Sequence, residues 1–194
     1  MKTGLILLAA GNSTRMGTPK QLLQYRGRPL VHHAALVALQ SRCRPVIVVL
    51  GANAGPVRQA LHDLPVEPIE NPLWSEGMGT SIQAGLRAAV DYELDGIILA
   101  LADQPLVTAD TYNLLVAGHE TSAKPIVTSV YAGTVGVPVY FAREYFPHLM
   151  ALKPDQGCKG VILAHSDNAL RIACSEAEED IDTPLDYLRL TPTS

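Results

Sequence analysis

Aromatic residues make up only 5% of the 194-residue chain. A core must therefore be assembled from Leu, Val, Ile and Ala, the aliphatic types that suit strands buried on both faces of a parallel sheet. Cysteine is scarce too. Cys43, Cys158 and Cys174 are too few and too scattered for a disulfide framework or a zinc site, and their odd number fits a reducing compartment, the cytoplasm. Basic charge is not in excess: the formal net charge is −4. That excludes the broad cationic surface which nucleic acid or an anionic membrane requires, but leaves room for a local phosphate site. No apolar run approaches the ~18 residues needed to span a bilayer. Lys2 followed by Leu5-Ile6-Leu7-Leu8 faintly resembles a signal peptide, yet the run is short and leads into Gly11, Arg15 and Lys20 without a cleavage pattern. A buried first strand is the expectation, in a soluble protein with no membrane partner.

What is present is alternation. Short apolar blocks at residues 4–10, 46–50, 66–70 and 96–102 read as strands. Between and after them, residues 30–40 (with Pro29 in the first turn), 56–62, 79–90 and 109–119 have helical periodicity. Repeated βα units predict a mostly parallel sheet with right-handed crossovers and helices on both faces, a three-layer αβα arrangement. The second half is less regular. Residues 126–131 and 137–141 read as strands joined by Ala132-Gly133-Thr134-Val135-Gly136, a small antiparallel addition. Helices are expected at 144–152, 160–165 and 184–190, and a last strand at 169–173. With no internal repeat, low-complexity tract or linker, residues 1–194 are expected to form one domain.

The strongest local signal is Leu7-Leu8-Ala9-Ala10-Gly11-Asn12-Ser13-Thr14-Arg15-Met16-Gly17-Thr18-Pro19-Lys20. A hydrophobic strand runs into small residues that can turn their N–H groups toward one point, as phosphate-cradling loops do. Arg15 can fork onto phosphate oxygens and Lys20 can supply a compact charge. A Walker A loop fails on spacing, because Gly17 is followed by Thr18-Pro19. A dinucleotide fingerprint fails because G-x-G-x-x-G is absent and the second strand ends at Leu50-Gly51 with no acid for a ribose. Taken alone, a plain glycine turn after a strand stays open beside phosphate binding.

Together, Leu8-Ala9-Ala10-Gly11, Ser13, Arg15-Met16-Gly17 and Lys20 resemble the L-A-A-G-x-S-x-R-M-G-x-x-K motif of nucleotidyltransferases. Within that superfamily the chain resembles the molybdenum cofactor cytidylyltransferases over nearly its whole length. The resemblance implies a Rossmann-like fold of the nucleotide-diphospho-sugar transferase type. It also implies a nucleotide cradle at Ala9, Ala10, Gly11, Asn12, Ser13, Arg15, Gly17 and Lys20, with Arg15 and Lys20 on the triphosphate. Alanine at position 10, where guanylyl-transferring relatives tend to carry glycine, implies a pyrimidine nucleotide, CTP.

Four further patches carry the resemblance. Leu99-Ala100-Leu101-Ala102-Asp103-Gln104-Pro105 puts an acid at the carboxyl end of the most hydrophobic strand. On spacing alone Asp103 serves equally as a metal ligand or as a cap of the turn before Pro105; the resemblance makes it the metal-binding aspartate. Asp182, in Asp180-Ile181-Asp182-Thr183-Pro184, is a plain helix cap on spacing, and matches the second metal ligand of the family. The implied cofactor is Mg²⁺ or Mn²⁺. Gly77-Met78-Gly79-Thr80-Ser81 is similar to the family's G-M-G-x-S segment against base and ribose, implying roles for Gly79, Thr80 and Ser81, although Thr80 or Ser81 also makes an ordinary N-cap. Gln104, Gly136 and Lys159 fall in segments similar to the acceptor side. Two departures stand there: Val137 where the family usually has histidine, and Cys158-Lys159 in place of alanine and arginine, so the bidentate fork is lost. The implied partners are CTP and a phosphorylated acceptor such as molybdopterin, and downstream a molybdoenzyme or its chaperone. Other acceptors, GTP, and a non-catalytic accessory role remain the alternatives. Trp74 falls in a loop near the base segment, where it covers the acceptor or simply packs.

Overall fold

A computed structural model describes residues 1–13 and 17–190. Strand β1 (Thr3–Ala9) is followed by a small hairpin, β2 (Gln24–Tyr25) and β3 (Arg28–Pro29), and by α1 (Leu30–Gln40). Then come β4 (Val46–Leu50), α2 (Ala54–Ala60), β5 (Glu67–Glu70), α3 (Met78–Ala88), β6 (Gly96–Leu101) and α4 (Ala109–Ser122). The chain closes with β7 (Ile126–Tyr131), β8 (Thr134–Ala142), α5 (Phe146–Met150), α6 (Lys159–Ala164), β9 (Ala169–Ala173) and α7 (Pro184–Leu190).

Seven strands form one sheet in the order β5-β4-β1-β6-β8-β7-β9. Pairing is parallel except where β8 meets β6 and β7. The continuous apolar strands follow from burial on both sides. In β1, Leu5, Leu7 and Ala9 face the core under α1, α2 and α4, while Ile6 and Leu8, with Ala10 beyond, face the core under α3, α5 and α6. The three-layer αβα expectation holds.

The differences are local and have physical causes. The connection between β7 and β8 is two residues, not five. Ala132 and Gly133 both take positive φ, 47° and 73°, the conformation of the tight primed hairpin turn that matches strand twist. An alanine at that position hides the signal. The antiparallel strand β8 is also longer than expected and lies inside the sheet, between β6 and β7. The hairpin β2–β3, turned by Arg26 and Gly27 at φ 51° and 77°, was not expected, because two-residue strands leave no periodicity. The expected helix 144–152 divides into a 3₁₀ turn, Arg143–Tyr145, and α5, with a proline at the first turn of α5. Among the described residues no helix is long and apolar enough to cross a membrane.

The chain passes from β1 outward to β4 and β5 and returns to add β6 on the other side of β1. The order therefore reverses beside β1. Ligands of open α/β sheets bind at such a switch point, outside the carboxyl ends of the strands. The two segments that leave β1 and β6 at that edge are the glycine loop and Asp103.

Candidate active site

A cleft of about 460 Å³ opens at that edge. Its lining includes Ala9, Ala10, Gly11, Asn12, Lys20 and Gln21 from the loop side, Asp103 from the end of β6, and Asp180 and Asp182 from the C-terminal segment. Trp74, Ser75, Gly77, Met78 and Ser81 also line it.

The loop is braced from below by a side chain the motif did not single out. Gln21 is buried, and its Nε2 donates to the carbonyls of Gly11 at 2.6 Å and Ala9 at 3.2 Å. Ser13, at φ 54°, offers its Oγ to the Lys20 amide at 3.0 Å. The turn is thus tied to itself across seven residues. Gly51 makes the adjacent approach possible: a Cβ there would lie 2.3 Å from the Ala10 carbonyl oxygen.

Lys20 is the hub. Its Nζ lies 2.5 Å from Asp103 Oδ2 and 2.8 Å from Asp182 Oδ1, joining residues 83 and 162 positions apart. Burial alone would lower the lysine pKa, but Asp103 and Asp182 outweigh it and hold the ammonium above its ordinary value. The second oxygen of Asp103, Oδ1, is buried and meets no hydrogen-bond donor among the described residues. A buried carboxylate oxygen without a donor is costly, and hard divalent cations take such oxygens. Asp103 Oδ2 and Asp182 Oδ1 meet at the Lys20 ammonium, so the two carboxylates already flank one cation, and the donor set fits a divalent ion. Asp180 faces the same cleft; loss of solvent first, then Asp182 and Asp103, raise its carboxyl above the usual range.

Asp182 arrives there because Ile181 is anchored. Ile181 is fully buried with Tyr25 and Leu30, and its amide donates to the Asp103 carbonyl at 3.0 Å. Beyond it, Asp186 Oδ2 accepts from the Thr183 amide at 2.8 Å and hydroxyl at 2.7 Å, fastening the start of α7. Tyr187 donates its hydroxyl to the Gln24 carbonyl at 2.7 Å. The hairpin β2–β3 is therefore the seat on which the second aspartate rests. Ile181 and Asp186 both fall in the D-I-D-T-P-x-D segment that resembles the family's, but the segment pointed to Asp182 as a ligand and not to these two as its anchors.

The segment after β5 is equally tied. Asn71 is buried; its Nδ2 donates to Thr80 Oγ1 at 2.8 Å and Ser81 Oγ at 3.0 Å, and its Oδ1 accepts from the Leu73 amide at 3.0 Å. Two residues expected on the base side make other contacts here. The Thr80 hydroxyl donates toward the carbonyls of Leu73 and Gly77, inside the turn rather than into the cleft. The Gly79 amide donates to the Pro154 carbonyl at 2.9 Å, so it is not free to read a base, and a Cβ at Gly79 would meet the Lys153 carbonyl oxygen at 2.2 Å. Ser81 keeps its place on the cleft wall.

The expected acceptor residues are not brought together. Gln104 is buried, and its Nε2 donates to the carbonyls of Ala177 at 2.8 Å and Val137 at 3.3 Å, clamping β8 to the C-terminal segment. Gly136 lies on β8 under the Tyr131 hydroxyl, which a Cβ would meet at 2.4 Å. Lys159 lines a separate open depression with His148 and His165. Gly17 lies at the edge of the described loop, outside the cleft lining, and Arg15 lies outside the described residues. His32 packs, 7% exposed, against Asp63.

A glycine loop and two convergent carboxylates at the switch point of an open sheet define a class, the α/β proteins that handle nucleotides at a strand edge. The sequence signature of the MobA-like NTP transferase domain matches residues 5–169. The chain belongs to this family, and it is a nucleotidyltransferase. Purine catabolism protein PucB of Bacillus subtilis is 31% identical over 193 residues, covering 94% of this chain and 92% of that protein. Nicotine blue oxidoreductase of Paenarthrobacter nicotinovorans is 44% identical over 115 residues, which cover 59% of this chain and 55% of that protein. Among solved structures, Rv0371c of Mycobacterium tuberculosis superposes with a TM-score of 0.85 at 32% identity, covering 100% of this chain and 98% of that one. A second structure of it, in complex with manganese, superposes with a TM-score of 0.81 at 30% identity and full coverage of both chains.

Proposed function

We propose that this chain transfers the cytidylyl group of CTP to the phosphate of molybdopterin and releases pyrophosphate, using Mg²⁺ or Mn²⁺. The observation that carries this reading is the convergence of Lys20, Asp103 and Asp182, with Asp103 Oδ1 buried and lacking a donor among the described residues. That the Rv0371c relative is solved in complex with manganese supports the use of a divalent ion. Ala10 on the cleft wall supports a pyrimidine. The whole chain acts as one domain in this reading, in the cytoplasm.

In the reaction an oxygen of the acceptor phosphate forms a bond to the α-phosphorus of CTP while the α–β bridging bond breaks. Pyrophosphate leaves with the electron pair. A phosphate nucleophile is already ionised, so no side chain has to remove a proton. What the protein supplies is position and charge. Ala10, Gly11 and Asn12 hold the nucleotide along the braced loop, and Ser81 faces its ribose and base. Lys20 and Arg15 balance charge on the triphosphate as it passes to the leaving group. Asp103 and Asp182 would hold the divalent ion, whose chemistry when bound is to neutralise phosphate charge and orient its oxygens.

Pyrophosphate release measured with each nucleoside triphosphate, with and without molybdopterin, tests the reading. Release with CTP that depends on molybdopterin and on Mg²⁺ is expected. Release with CTP and another phosphorylated acceptor alone would move the acceptor assignment, and binding without turnover for every acceptor would overturn transfer itself.

A further inference from the structure

The cleft wall is largely aliphatic, with Leu8, Leu30 and Leu101 in it, and among the described residues that line it Trp74 is the one aromatic ring. Asn12, Lys20, Gln21, Asp103, Asp180 and Asp182 present hydrogen-bonding or charged groups, whereas Trp74 and Met78 present an apolar face. Trp74 is half-buried on a 3₁₀ turn, Trp74–Glu76, backed by the core under α3. Its neighbour Leu73 is 48% exposed and Met78 45% exposed. Trp74 and Met78 line the cleft and Leu73 lies beside it, and large exposed apolar side chains grouped at a cleft mark a binding surface rather than ordinary scatter.

The turn that carries the indole is held from both sides. Asn71 Oδ1 takes the Leu73 amide, and the Thr80 hydroxyl donates to the carbonyls of Leu73 and Gly77. Gly77, at φ 133°, lies against the backbone of residues 154–155, and a Cβ on Gly157 would be 3.3 Å from Met78 Sδ. The turn that carries the ring is therefore set in place before any ligand arrives, which favours a stacking platform. Charged groups elsewhere on the wall account for phosphate, and Ala9, Ala10 and Ser81 account for the nucleoside. Met78 borders the segment expected against base and ribose, and the indole of Trp74 is the group left without a partner in that accounting.

Resting on the transfer reading above, we infer that Trp74 is the platform on which a planar, fused heteroaromatic ring of the acceptor stacks, with Met78 and Leu73 as its apolar border. Trp74 is a specificity-determining residue in this scheme. It selects acceptors with a flat ring and positions their phosphate toward Lys20 and Asp103. A phosphorylated polyol or simple sugar phosphate has no face to offer and gains nothing from this wall.

The chain has a single tryptophan, so its emission reports on this position alone. The probes are 6-hydroxymethylpterin monophosphate as a flat phosphorylated acceptor, glycerol 3-phosphate as one without a ring, and CTP with Mg²⁺. Affinities are measured by calorimetry on the wild type, Trp74→Ala and Trp74→Phe, with emission recorded on the wild type. Stacking on an aromatic side chain is worth roughly tenfold or more in affinity. The expected result is that Trp74→Ala binds the pterin phosphate about tenfold more weakly. Trp74→Phe should restore most of that affinity, and both variants should bind CTP as the wild type does. Wild-type emission should change with the pterin phosphate and not with glycerol 3-phosphate. Loss of CTP affinity in Trp74→Ala with pterin binding intact would assign the indole to the base and overturn the inference. Equal loss of both ligands with no rescue by phenylalanine would make Trp74 a packing residue and also overturn it. Unchanged affinities, in a protein that still releases pyrophosphate with CTP and molybdopterin, would sink the platform and leave the transfer reading standing.

Discussion

Lys20 joins three stretches of chain through one ammonium, so its loss is felt twice. Lys20→Met removes charge from the proposed triphosphate site and leaves Asp103 and Asp182 facing each other; a fall in kcat/KM of about 10²–10³ is expected from pyrophosphate release, as for loss of a single charge-stabilising donor. The lysine pKa stands above its ordinary value because of the two carboxylates. Its contribution to stability is thus complete below the pKa of an unfolded lysine and is lost only as pH rises through the folded value, so thermal melts should weaken on the alkaline side in the wild type and show less of that slope in Lys20→Met. Gln21 makes a different prediction. Gln21→Ala leaves the Gly11 and Ala9 carbonyls without their donor, which costs about 1–3 kcal/mol in a melt and raises the KM for nucleotide more than it lowers kcat. At this scale Lys20, Asp103 and Asp182 were legible because their residue types and spacing match a long motif. Gln21 and Asn71 were not, nor was the anchoring role of Ile181, because a buried amide or an aliphatic plug is chosen by backbone groups that only the fold brings near. Thr80, Gly79 and Lys159 mark the converse: their motif is visible, but hydrogen bonds to Leu73, Gly77 and Pro154 and the course of α6 fix what they touch.

At the scale of elements, α7 and the turn before α3 carry the site. Asp186 is held below the usual carboxylate range, first by the Thr183 hydroxyl and then by backbone amides. A lowered carboxylate stabilises above its unfolded pKa and loses that contribution as pH falls through the folded one. Amide protection in residues 183–190 should therefore drop in acid, and Asp186→Asn should show the weaker protection already at neutral pH. Asn71→Ala removes three bonds at once from the turn bearing Trp74 and should destabilise by about 1–3 kcal/mol. The βα repeats were readable from periodicity because each strand is buried on both faces, as the alternation of Leu5 and Leu7 against Ile6 and Leu8 illustrates. Strand order was not. Nothing local in residues 134–142 records that β8 inserts between β6 and β7, and a two-residue hairpin such as Gln24–Tyr25 with Arg28–Pro29 is too short to leave a pattern.

On the scale of the whole molecule the sheet acts as a frame that brings residues 9–21, 103 and 180–182 to one edge. The hairpin β2–β3 and the small core of Tyr25, Leu30 and Ile181 close that frame from outside the main sheet. Its three cysteines are all buried. Burial pushes the Cys158 thiol up to about 12 and raises Cys43 and Cys174 as well. Native protein at neutral pH should accordingly resist thiol-modifying reagents, with labelling appearing only on unfolding. In the proposed reaction Asp103 and Asp182 share one divalent ion together with bound triphosphate. The measurement that tests this sharing most directly is Mn²⁺ binding followed by electron paramagnetic resonance, with and without CTP, in the wild type, Asp103→Asn and Asp182→Asn. Tight, CTP-enhanced binding in the wild type and a loss of at least about tenfold in either variant, the scale of a single lost ligand, is the expected outcome. Mn²⁺ bound equally well by all three proteins, or bound without regard to CTP, would contradict it.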